Sequence, residues 1–149
     1  MARLRPGWLV SLFAAGLSVS CWLPWLTTPV GGGGRASAIG GTFGGITLAS
    51  RFGAGQVIVL LSSVLIVLGA MAARGLSARP AAGAAVVVSV LIGVLAWWFF
   101  QVNLVAPMRV GFGFYIAAVC GVGALLCSIW ALVMSVSAVL SGVGRSVRR

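Results

Sequence analysis

Few side chains in this 149-residue chain can do acid–base or covalent chemistry: Cys21, Cys120, Cys127 and Tyr115, beside scattered Ser and Thr hydroxyls. There is no Asp, Glu, Lys or His. General acid–base catalysis at neutral pH uses those missing types, so a serine nucleophile here would lack a base. Cys120 and Cys127 are seven residues apart, on one face of a helix, and two helical turns hold them too far apart for a disulfide. No CxxC pair occurs, the cysteine number is odd, and no other residue type could complete a metal site or supply histidine to a haem. The cysteines read as small packing residues, the chain as a non-enzyme, and no cofactor is expected.

The remaining polar groups are candidates for binding. Asn103 is the sole asparagine, Gln56 and Gln101 the sole glutamines, and all ten cationic residues are arginine. A ligand or partner, if there is one, would most readily meet Arg35, Arg51, Gln56, Gln101, Asn103 or Arg109, although the favoured expectation is that these groups bond loop backbone and lipid headgroups. The glycines of GGGGRAS, 31–37, invite comparison with a phosphate cradle. That loop needs a following lysine and a flanking strand and helix, which are missing, so no nucleotide is expected. The arginines are spread singly or in twos and threes at the ends of apolar runs. Anionic headgroups suit that pattern better than nucleic acid does.

The elements that must position these groups are four apolar runs. The chain is 61% hydrophobic and 7% charged, with a mean hydropathy of +1.19. Runs over 8–26, 55–73, 81–100 and 111–134 each approach the ~20 residues that cross ~30 Å of hydrocarbon as a helix. The expected fold is all-α: a single four-transmembrane-helix bundle. A glycine-rich outer loop covers 27–54, and Gln101–Arg109 forms a short second outer loop. The fourth run is too long for one crossing. Its end is expected to continue as a surface helix that frays at Gly142 and Gly144 into a basic tail, 141–149.

Arginine counts set the orientation. Arg3, Arg5, Arg74, Arg79, Arg145, Arg148 and Arg149 fall on one side, and Arg35, Arg51 and Arg109 on the other. The positive-inside rule then places both termini and the 74–79 loop in the cytoplasm of a bacterial inner membrane. A competing reading takes the first run as a signal peptide cleaved before Cys21. Ser18 stands where a branched apolar residue is usual in a lipoprotein box, and Trp-Leu-Pro-Trp follows the cysteine in place of a polar linker.

Lipid gives helices no hydrophobic reward for associating, so small residues that admit close approach should mark the contacts. Ala81, Ala85, Ser89 and Gly93 form one such row. Gly113, Ala117 and Gly121 form a second, and Gly123, Cys127, Ala131 and Ser135 a third. The first two are expected to meet in an antiparallel hairpin of the third and fourth spans, or one row could face another protein.

The segments LPWLTT and VGFGFYIAAVCGVGALLCSIWAL, around a Gly-rich outer loop, resemble those of small four-helix integral membrane proteins of actinobacteria. That resemblance implies four-span topology and assigns no activity or site residue. Two other four-helix classes match less well. Small drug/proton exchangers depend on a membrane glutamate, and small fluoride channels use a buried asparagine, whereas Asn103 is expected in a loop. The expected function is that of a non-catalytic accessory or scaffold subunit, associating with other membrane proteins or with itself. The alternative is a small channel or carrier for a neutral or anionic solute.

Overall fold

The computed structural model describes residues 5–29, 33–44, 53–103 and 109–146. Among them are four helices, α1 (Pro6–Ser20), α2 (Ala54–Arg74), α3 (Ala78–Asn103) and α4 (Phe112–Ser146). Four short strands join them, β1 (Pro24–Thr28), β2 (Gly34–Ser37), β3 (Thr42–Gly44) and β4 (Arg109–Val110). The last three helices are long and apolar enough to cross a membrane. The helices form a ring in chain order: α1 packs on α2 and α4, and α3 packs on α2 and α4.

Each helix turns a stripe of small or branched residues inward. On α1 the buried stripe is Gly7, Val10, Ser11, Ala14, Leu17 and Ser20, and on α2 it runs through Ile58, Ser62, Leu65, Gly69 and Ala73. These spacings of three and four are those of one helical face. Five buried serines carry the only buried polar side chains among the described residues. Ser62, Ser89 and Ser128 each donate to the carbonyl four residues back, at 2.7 Å. Ser20 donates to the Leu17 carbonyl at 2.6 Å, and Ser11 reaches across to the Ile66 carbonyl of α2 at 2.9 Å. Such bonds remove the cost of burying a hydroxyl.

The closest helix–helix approach made by glycines is between α1 and α2. A Cβ on Gly7 would lie 2.5 Å from the Gly69 carbonyl oxygen and from the Ala73 nitrogen. Beside this crossing, Arg5 donates from Nη1 to the Ala73 carbonyl at 2.8 Å, placing a cation at the negative end of α2. α2 stops at Gly75, whose φ of 77° is left-handed, and Leu76 N–H bonds back to the Met71 carbonyl at 3.0 Å. This is a Schellman stop, followed by a tight turn into α3.

Several expectations change. The fold is not all-α: segments from both expected outer loops form strands of one antiparallel sheet of order β3-β2-β1-β4. The first apolar run does not stay helical to residue 26, because α1 ends at Ser20 and the chain turns into β1. Pro24 explains part of this, since it cannot donate a helical hydrogen bond. α3 runs on to Asn103, so Gln101 and Asn103 belong to the helix and not to a loop. α4 passes through Gly142 and Gly144 without breaking.

Candidate functional site

The sheet caps the end of the bundle where α1 and α3 finish and α2 and α4 begin. Its register pairs Phe43 with Arg35, Arg35 with Thr27, and Thr27 with Arg109. Residues directly opposite in an antiparallel sheet share a face, so these four make one row across all four strands. The neighbouring row, Thr42, Ala36, Leu26 and Val110, points the other way, and Ala36 and Leu26 are buried on the bundle. The outward row is open: Arg35 and Arg109 are exposed, and Phe43 is 79% exposed.

A β-bulge anchors this platform. Leu26 pairs with Ala36 but Pro24 pairs with Ser37, so Trp25 is an extra residue in β1. The bulge breaks the alternation and lets Trp25 and Leu26 both point inward. The Trp25 indole donates from Nε1 to the Ser20 carbonyl at 2.9 Å and meets Phe99 and Phe114 edge-on, with centroids 5.4 and 5.5 Å away. Edge-on aromatic pairs and a satisfied N–H are what a buried tryptophan needs. β4 is drawn against β1 by the bond from Gly111 N–H to the Trp25 carbonyl, at 2.7 Å. Gly111 has to be glycine here, because a Cβ would overlap the Pro24 carbonyl oxygen.

Electrostatically the outward face is unbalanced. Strands lie ~4.8 Å apart, so the Arg35 and Arg109 backbones stand roughly 10 Å from one another on either side of Thr27. The chain contains no Asp or Glu, so neither guanidinium can pair with a carboxylate side chain of its own. Two concavities flank Arg35 and Phe43. One, of about 640 Å³, is lined by Thr27, Thr28, Gly33, Gly34 and Gly44 together with that pair. The other, of about 530 Å³, lies towards Trp22, Pro24 and Phe112. Guanidinium, hydroxyl and an exposed ring suit recognition of a carboxylate-bearing or phosphate-bearing surface.

The expected binding residues separate into distinct places. Arg35 and Arg109 come together on the sheet. Gln56 is exposed at the start of α2 and donates from Nε2 to the Ile39 carbonyl at 3.4 Å, tying the helix to the β2–β3 turn. Gln101 is exposed on the last turn of α3, which Asn103 closes. Arg51 lies outside the described residues. Of the small-residue rows, Ala81, Ala85, Ser89 and Ala117 are buried. Gly113 is held against β1, where a Cβ would lie 2.8 Å from the Leu23 Cβ. Gly93 and Gly121 have no neighbour within 4 Å of where a Cβ would stand, so the middle of the α3–α4 pair is open there. Sequence reasoning missed Thr27 and Phe43, whose only advance signal is their β-favouring type within a Gly-rich segment.

The three cysteines are separate and free, and no group of three metal-ligating side chains occurs among the described residues. No known protein family, curated protein or solved structure matches the chain.

Proposed function

We propose that the chain is a four-span integral membrane protein, with both termini in the cytoplasm, that acts as a non-catalytic accessory subunit. Its sheet faces outward and docks an acidic surface of a larger membrane complex. α1 is only 15 residues, about 22 Å of helix, but it lies between two membrane-length helices and is extended by the turn at Cys21–Leu23. That supports a fourth crossing. The described arginines Arg5, Arg74 and Arg79 lie at the end opposite the sheet, which agrees with a cytoplasmic location for that end.

The single observation carrying the docking role is the row Phe43–Arg35–Thr27–Arg109, exposed on a platform clamped by Trp25. The channel reading has less support, since the described interior is filled by side chains such as Ile58 and Leu65, and its buried serines bond to helix carbonyls. Purification from native membranes in a gentle detergent tests the proposal. A partner should co-purify in fixed stoichiometry and be lost on Arg35→Glu with Arg109→Glu; a lone monomer under several mild conditions would sink it.

A further inference from the structure

A trough opens sideways between α3 and α4, with a volume of about 480 Å³. Its floor is the bundle core at Leu17, Trp25 and Ile58, and Gly93 and Gly121 line it with nothing facing them within 4 Å. Its lining is almost wholly apolar. The one hydroxyl-bearing residue, Ser89, already donates to the Ala85 carbonyl at 2.7 Å, and the Trp97 indole at the sheet end is the other polar group of the lining outside the buried floor.

We infer that this trough is a binding site for one acyl chain of a membrane phospholipid in the leaflet on the sheet side. The inference rests on the membrane reading above. Length supports it first. The trough runs along α3 from Ser89 to Trp97, and along α4 from Phe114 to Leu125. At 1.5 Å per residue these stretches are about 12 and 16 Å. Half of a ~30 Å hydrocarbon core is about 15 Å, the depth of one leaflet. Trp97 and Phe114 stand at the sheet end and Ser89 and Leu125 near mid-depth, so the trough follows the path of a chain hanging from that interface.

Chemistry supports it second: apart from the satisfied Ser89 hydroxyl and the Trp97 indole at the sheet end, the lining is hydrocarbon and aromatic ring from end to end, which suits an acyl chain. The trough has a structural cause. Trp25 packs against Phe99 of α3 and Phe114 of α4, and Phe100 of α3 meets Phe114 directly with centroids 5.4 Å apart, so the two helices are joined by rings at the sheet end. Two turns further on, Gly93 and Gly121 supply no side chain to close the gap.

The test has two arms on the full chain. A phospholipid with a mid-chain diazirine is photolysed with wild-type protein in nanodiscs, and the labelled peptides are mapped. Attachment should concentrate at least fivefold on 89–97 and 117–125 relative to the outward face of α2 at Leu60, Val64 and Val67. In the second arm, phospholipid retained after delipidation is counted by native mass spectrometry. The Gly93→Leu, Gly121→Leu double variant should retain at least tenfold less than wild type with an unchanged thermal midpoint. Labelling spread evenly over all helices would overturn the site and leave the membrane reading standing. A protein that does not enter nanodiscs would overturn both. If the double variant fails to fold, the labelling map alone decides.

Discussion

Gly7 on α1 and Gly69 on α2 sit against one another's backbone: a Cβ on Gly7 would be 2.5 Å from the Gly69 carbonyl oxygen, and one on Gly69 would be 2.8 Å from that of Gly7. Both obstacles are main-chain atoms, which cannot rotate away. Ser11, one turn along α1, uses this proximity to bond to the Ile66 carbonyl. The crossing is therefore the fixed joint of the bundle, and the α3–α4 pair is its open seam.

Alanine substitutions separate joint from seam by sign. Replacing a helical glycine by alanine gains up to ~1 kcal/mol in helix propensity where space allows. At Gly93 and Gly121 space is available, so each change should leave stability unchanged or raise it by that amount. At Gly7 and Gly69 the clash outweighs the gain, since overpacking costs ~1–3 kcal/mol or more. Thermal unfolding in one detergent, compared across the four variants, checks this. A lower midpoint for Gly93→Ala than for Gly7→Ala would contradict the assignment.

Trp25 should be the most sensitive single side chain at the sheet end. Trp25→Phe removes the indole N–H and leaves the Ser20 carbonyl without that donor. The expected loss is about 1–2 kcal/mol. Trp25→Ala removes the ring packed on Phe99 and Phe114 as well and should cost about 3–5 kcal/mol. Denaturation midpoints for the two variants should fall in that order. Equal midpoints for both and for wild type would show that the bulge does not anchor the sheet.

Charge reversal on the outward row should affect docking and not folding. Arg35 and Arg109 are exposed, so Arg35→Glu with Arg109→Glu should change stability by no more than ~0.5 kcal/mol. Affinity for the co-purified partner should drop by about tenfold or more, mainly through slower association. For the wild type, raising salt until the screening length falls well below the ~8 Å of physiological solution should weaken binding in the same direction. Surface plasmon resonance on the detergent-solubilised pair measures both. Salt-independent affinity would remove the electrostatic basis of the docking face.

Topology is tested by labelling with a membrane-impermeant thiol reagent. With the three native cysteines replaced by alanine, Thr42→Cys in β3 should react on intact cells. Leu76→Cys, in the turn between α2 and α3, should react only after permeabilisation. Both positions are exposed in the structure, so a failure to label reports sidedness and not burial. The reverse pattern would invert the protein and place the sheet in the cytoplasm.

How much of this was legible beforehand varies by element. The run 55–73 is one residue inside each end of the observed α2, because an uninterrupted apolar run bounded by charge leaves little choice. The turn at Gly75 follows from a left-handed stop that glycine adopts freely. The sheet was not legible. Its strands are two to five residues long, and β1 begins inside what reads as a continuous apolar run. Pro24 argues locally against helix at this point, but nothing local marks Trp25 as a bulge in a strand. The difference lies in Gly111 and Val110, more than eighty residues away, which complete the strand pairing.

The sequence by itself determined the apolar composition, the set of long helices and the lack of Asp, Glu, Lys and His, because these depend only on which residue types occur and in what runs. It also marked the small-residue rows. Whether such a row brings two helices together or leaves a space between them was decided only by the tertiary structure. Gly7 and Gly69 close a crossing because each stands against the other's backbone, while Gly93 and Gly121 leave a trough because nothing from another element lies within 4 Å of where their Cβ atoms would stand. The pairing of Arg35 with Arg109 across Thr27 has the same origin. Strand register is a contact between distant parts of the chain, and the one bulge that sets it is held in place by packing, which a linear pattern does not encode.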